Sequence, residues 1–132
     1  MTTRATGMFD IESWDEEVYD EREGTKLARV RVAKTFRGDV EGASTTDLLL
    51  AYGAEEGSAA YVGFERLVGS IKGRAGSFVL HHTATSSSDG RSATWSVVPD
   101  TGTGDLSGLR GEAEISLGPD GEHTFSLDYD LG

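Results

Sequence analysis

The chain contains no cysteine in 132 residues and only two prolines. Without cysteine there can be no disulfide, no thiolate metal site and no thiol nucleophile. That composition suits a reducing compartment. Residues Met1 to Asp10 also lack a basic start followed by an apolar stretch, so a cytoplasmic bacterial protein is expected. No segment nears the roughly 18–20 consecutive apolar residues of a membrane span. Basic residues are scarce too: twelve Lys and Arg face twenty-three Asp and Glu, a formal charge of −11. A field of that sign repels phosphate backbones and anionic lipid, so neither nucleic acid nor membrane is expected as a partner. The acids gather in Asp10 to Glu23 and Glu112 to Asp130, where they read as a solvated surface.

Helix signals are nearly absent, the best being one turn at Asp105 to Leu109 with Asp105 as its cap. Eighteen glycines, frequent Thr, Ser and Val, and short alternating runs point instead to strands joined by many turns. The runs fall near 4–13, 15–22, 26–37, 43–53, 58–70, 74–87, 91–101, 110–118 and 121–130. The first two form one strand if the break near Trp14 and Asp15 is only an irregularity. No linker or repeat divides the chain, so residues 1–132 read as one domain.

The turns say more than the strands alone. Lys72-Gly73 and Asp89-Gly90 read as two-residue hairpin turns with glycine supplying positive φ. The first places Gly63 opposite His82, Glu65 opposite Leu80 and Leu67 opposite Phe78. The second places His82 opposite Val97 and Ala84 opposite Trp95. With side chains alternating at period two, one face then carries Tyr61, Glu65, Leu67, Phe78, Leu80, His82, Ala84, Trp95 and Val97. The other carries mostly Ser, Thr and Arg, with Phe64, Val68 and Val98 among them as possible seeds of a homo-oligomeric contact. Upstream, Leu48, Leu50 and Tyr52 share the inward phase, as do Ala28, Val30, Val32 and Phe36, with Lys34 the exception. Pro119-Asp120-Gly121 suits a three-residue turn that puts Ala113, Ile115 and Leu117 on one face with Phe125 and Leu127. Eight or nine such antiparallel strands close most simply into an all-β, up-and-down eight-stranded barrel. A two-sheet sandwich is the alternative.

The stretches Gly63-Phe64-Glu65-Arg66, Gly73-Arg74-Ala75-Gly76-Ser77-Phe78 and Gly102-Thr103-Gly104-Asp105-Leu106-Ser107-Gly108-Leu109-Arg110-Gly111, with Lys34-Thr35-Phe36, resemble the bacterial family called domain of unknown function 3224. The likeness runs over nearly the whole chain. More distantly, the paired Gly-x-Gly-x-Phe and Gly-Thr-Gly-x-Leu stretches are similar to those of plant allene oxide cyclases and dirigent proteins. That resemblance implies an antiparallel barrel, often trimeric, whose lumen holds an apolar reactive molecule. No catalytic residue of those enzymes maps onto a position here, and a shared fold is a weak warrant for function.

Glu65 and His82 are the residues that suit chemistry. Gly63 opposite His82 leaves room for the ring to lean toward the carboxylate, with Cβ atoms roughly 5–8 Å apart. Two readings stand: an acid/base pair acting on a bound carbonyl, enol or epoxide, or a hydrogen-bonded pair plugging the barrel. Tyr61 and Tyr52 can orient a ligand oxygen, and Leu67, Phe78, Leu80, Trp95 and Val97 can wall its apolar part. Lys34 is expected at the mouth, its stem packed and its ammonium in water. Inward glycines at 63, 69 and 76 suggest space inside.

No metal and no cofactor are expected. His81 and His82, adjacent on a strand, face opposite ways and cannot grip one ion, and His123 is remote. Gly102-x-Gly104 lacks the strand-to-helix context and lysine of a phosphate loop and reads as a tight crossing. Three functional readings remain open: a binder of a small apolar or aromatic metabolite, a cofactor-independent cyclase or isomerase, and a solidly packed barrel.

Overall fold

The computed structural model describes residues 2–132. Eight strands run β1 (Thr3–Arg22), β2 (Thr25–Gly38), β3 (Val40–Tyr52), β4 (Ala59–Ile71), β5 (Arg74–Ser87), β6 (Gly90–Val97), β7 (Arg110–Leu117) and β8 (His123–Asp130). Each pairs antiparallel with the next, and β1 pairs with β8 to close the barrel. Closure leaves the apolar phase of every strand inside and removes most of the sheet edge. The two N-terminal runs are one strand, with irregularities between Ile11 and Ser13 and between Val18 and Asp20 that let it bend around the barrel.

The hairpin geometry follows from local chemistry. Lys72 and Gly73 both have positive φ (48° and 84°), as a mirror-image turn requires. The β4–β5 register is the expected one, with Gly63 opposite His82 and Glu65 opposite Leu80. The β5–β6 register differs from expectation by two residues. Ser87 pairs with Gly90, so the turn is Ser88-Asp89, and the Ser87 hydroxyl accepts the Asp89 N–H at 3.2 Å to hold it there. A shift of two preserves which face is inside. It changes neighbours, however: His82 lies opposite Trp95, Leu80 opposite Val97, and Ala84 opposite Ala93.

One end of the barrel is sealed. Between β6 and β7 the chain crosses β5, where the Val98 N–H donates to the Val79 carbonyl and the Thr103 N–H to the Ser77 carbonyl. The crossing then forms a 3-10 turn at Gly104–Leu106 and buries Leu106 and Leu109 in the core. Thr103, not Asp105, holds the N-terminal cap position without a side-chain bond, and at the other end the Ser107 hydroxyl donates to the Gly104 carbonyl. Gly102 serves the close approach expected of it, since a Cβ there would lie 1.9 Å from the Leu106 carbonyl oxygen.

Two expectations fail. Ala113 is buried, but Ile115 and Leu117 share its phase and stay exposed. The reason is that β6 and β7 join through a single pair, Ser96 and Glu112, and splay apart beyond it. Nor do the inward glycines supply space. A Cβ at Gly63, Gly69 or Gly76 would lie 2.1, 1.9 or 2.0 Å from a backbone oxygen, of the paired strand β3 for the first two and of Thr103 in the β6–β7 crossing for the third, so these positions are filled by main chain.

Candidate functional site

Residue pairing from β3 to β6 stacks the inward side chains in rows. Leu50, Tyr61, Ala84 and Ala93 form one row; Leu48, Gly63, His82 and Trp95 form the next; Thr46, Glu65, Leu80 and Val97 follow. Ser44, Leu67 and Phe78 lie deeper still. Small residues in the first of these rows, Ala84 and Ala93, and in the row beyond it, Ala59 and Ser86, open the end opposite the sealed one. A cleft of about 330 Å³ there is lined by Leu50, Tyr61, Ala84 and Ala93, with Ser86 and Arg91 toward the rim and Ala60, Thr85 and Ser92 bordering it from the outer face.

Beneath that cleft Glu65 is fully buried, with Lys34 7 % and His82 4 % exposed. The Lys34 Nζ donates to Glu65 Oε1 at 3.2 Å, His82 Nε2 meets the same oxygen at 2.7 Å, and the Ser44 hydroxyl donates to Oε2 at 2.5 Å. Lys34 is therefore not at the mouth with its ammonium in water. Its nitrogen sits 4.9 Å from the Phe9 ring centroid and 5.4 Å from that of Trp95, where the two rings and one carboxylate replace solvent. The His82 ring packs on Trp95 with centroids 4.5 Å apart, and Phe125 meets the indole edge-on at 4.9 Å.

Burial alone would raise the Glu65 carboxyl. The hydrogen bond from His82, the charges of Lys34 and His82, and the Ser44 hydroxyl together outweigh it and hold the group below its ordinary 4.5. Burial also pushes His82 below 6.5; Glu65 pulls upward, while Lys34 and His81 add to the depression. Glu65 is thus ionised and His82 neutral near pH 7. An ionised carboxylate only accepts, so the His82 proton resides on Nε2, leaving Nδ1 with a lone pair.

Both shifts act in one direction on stability. As pH falls below about 6.5, the unfolded chain binds a proton that folded His82 resists, and the fold weakens. It weakens again as pH drops through 4.5 toward the lower value of folded Glu65. Urea midpoints are expected to fall steadily from pH 7.5 to pH 4, and His82→Gln should remove the first part of that decline. A midpoint flat between pH 7 and 5 in the natural chain would contradict the assignment.

The other expected site residues are distributed unevenly. Leu67, Phe78 and Leu80 are wholly buried, and Val97 and Trp95 are nearly so. Tyr61 lines the cleft, its phenol raised by burial and then by the charge of Glu65. Tyr52 stands at the rim, its hydroxyl 3.2 Å from both oxygens of Glu16. His81 points outward and stacks on Phe64, and His123 stacks on Phe9. Ser44 and Thr46 are additions that the sequence did not single out. Both continue the inward phase of Leu48 and Leu50, so extending that alternation along β3 would have found them.

A family model described as "Protein of unknown function (DUF3224)" matches residues 5–129. The chain belongs to the DUF3224 family. The crystal structure of a DUF3224 protein of unknown function from Shewanella oneidensis MR-1, at 1.84 Å resolution, is similar at 34% identity with a TM-score of 0.87. The match covers 100% of this chain and 99% of that one, so the DUF3224 barrel is shared from end to end. No curated protein matches. These likenesses reach the DUF3224 family and not the wider allene oxide cyclase-like grouping. Among the described residues no helix is long and apolar enough to cross a membrane.

Proposed function

We propose that this DUF3224 barrel binds a small apolar or aromatic molecule at its open end. The observation that carries this reading is the cleft of about 330 Å³ at the barrel's open end, where Leu50, Tyr61, Ala84 and Ala93 lie one row above His82 and Trp95. Its volume is at the low end of small-molecule sites, enough for one or two fused rings. Leu50, Tyr61, Ala84 and Ala93 supply the apolar contact. Leu67, Phe78 and Leu80 form the packed wall that keeps the network below them rigid. A larger cleft of about 730 Å³ lies on the outer face, where it includes the exposed Leu49, Val62 and Phe64 beside the Arg31–Asp47 pair.

The second reading is a cofactor-independent cyclase or isomerase, favoured by the neutral His82 held against a carboxylate. Its roles would differ from those of a simple acid/base pair. Glu65 is enclosed by three donors and cannot touch a substrate; it would orient His82, which alone would move the proton.

The test uses Trp14→Phe, which leaves Trp95 as the single tryptophan. Titration with bicyclic aromatic compounds is expected to quench or shift Trp95 emission. Ala93→Leu fills the cleft and should weaken binding by at least about tenfold, the size of a modest packing clash. Should Leu49→Ser on the outer surface abolish binding while Ala93→Leu leaves it unchanged, the ligand occupies the outer cleft instead.

A further inference from the structure

Two groups without a hydrogen-bond partner lie one row below the cleft, in the row of Leu48, Gly63, His82 and Trp95. The Trp95 indole Nε1–H is buried and makes no hydrogen bond among the described residues. An indole N–H can only donate, so it lacks an acceptor. Beside it, ring against ring at 4.5 Å, His82 spends its one proton on Glu65 and has no partner at Nδ1 among the described residues. That nitrogen can only accept, so it lacks a donor. A buried donor without a partner costs about 1–3 kcal/mol, and the Trp95 ring that carries it packs on an imidazole whose free nitrogen has the opposite need.

From this juxtaposition, and resting on the binding reading above, we infer that the ligand is a neutral ring compound bearing a hydroxyl, a phenol or an enol, which accepts from Trp95 and donates to His82. A hydroxyl is the smallest group able to do both. A ketone or ether satisfies Trp95 and leaves His82 unmet. An ammonium does the reverse. A carboxylate cannot donate, and it would enter beside ionised Glu65 in a chain of net charge −11. Thr46 Oγ1, the other buried atom without a partner, pairs across from Glu65 one row deeper. Its hydroxyl both donates and accepts, so it does not discriminate among these classes.

The same arrangement sets what proton movement is available. A hydroxyl hydrogen-bonded to Nδ1 can pass its proton to His82, while the resulting oxyanion keeps the Trp95 hydrogen bond. Glu65 and Lys34 stay in place behind the imidazole, one stabilising its positive charge and the other limiting it.

Four probes of one shape separate the possibilities: 2-naphthol, 2-methoxynaphthalene, naphthalene and 2-naphthoate. Binding would be followed by the indole N–H signals in proton–nitrogen NMR spectra, which the two tryptophans make easy to assign. The naphthol is expected to bind at least tenfold more tightly than the ether or the hydrocarbon and to move the Trp95 N–H signal downfield. The naphthoate should not bind. Trp95→Phe and His82→Phe should each cut the advantage of naphthol over naphthalene to threefold or less. Equal binding of naphthol and naphthalene by the natural chain would overturn the hydroxyl inference and leave the binding reading intact. Binding of none of the four would overturn both. The probe series needs only the natural chain, so its outcome does not depend on either variant folding.

Discussion

Glu65→Ala is expected to destabilise the fold by about 3–5 kcal/mol, the cost of leaving one member of a buried ion pair without its partner. At this chain length that is on the order of 10–25 °C in melting temperature. The Lys34 side chain is 8% exposed and Glu65 is its ion-pair partner. Phe9 and Trp95 offer the stranded ammonium their ring faces, but cation–π contacts do not return what the carboxylate supplied. Removing both charges is a different matter. Lys34→Met with Glu65→Leu deletes the two desolvation penalties together, and this double variant should unfold within about 1–2 kcal/mol of the natural chain or above it. The natural chain, Lys34→Met, Glu65→Leu and the double variant form a double-mutant cycle readable from urea midpoints. A Glu65→Ala midpoint equal to that of the natural chain would show that water reaches the pair. If the double variant proves stable yet loses all ligand binding, the network's cost to the fold is retained for the site.

The second large effect is expected at a residue with no side chain. Gly42, Gly69 and Gly76 pair in one row across β3, β4 and β5. A Cβ on Gly69 would lie 1.9 Å from the Glu41 carbonyl oxygen and 2.8 Å from the Gly42 Cα, both main chain and unable to rotate away. Gly69 does not have positive φ, so the clash is steric alone. Gly69→Ala should therefore cost at least the upper part of the roughly 1–3 kcal/mol usual for an overpacked core. Gly118→Ala is the matched control. It too lacks positive φ, and its nearest contact would be the Glu122 oxygen at 3.6 Å. That change should be neutral or raise stability by up to about 1 kcal/mol through the unfolded chain. Similar melting temperatures for the two variants would mean that the strands do not approach as closely as described.

How much of the candidate site was legible follows from the range of each interaction. Glu65 and His82 sit on strands joined by a two-residue turn, and counting outward from Lys72-Gly73 places them correctly. Lys34 lies on β2, two strands away in pairing order, and reaches Glu65 across the barrel interior. Nothing local to Lys34 distinguishes a rim position from a buried one, because both share the same phase. Trp95 shows a subtler failure. Its face was evident, yet its neighbour was not, since the Ser87 side chain moved the turn by one position on each strand. The misreading of Gly63, Gly69 and Gly76 has the same origin. A missing side chain looks like empty volume in a sequence, whereas the space had been taken by the backbone of a neighbouring strand at Gly63 and Gly69 and of the β6–β7 crossing at Gly76.

What residue order alone determined here was set by short-range rules: strands from alternation, hairpins from glycine at positive φ, the inner face from a period of two, and hence a barrel. Tertiary structure alone decided which inward groups touch. Closing a sheet into a cylinder brings together side chains far apart in sequence, and their protonation and partners depend on solvent removed by all eight strands at once.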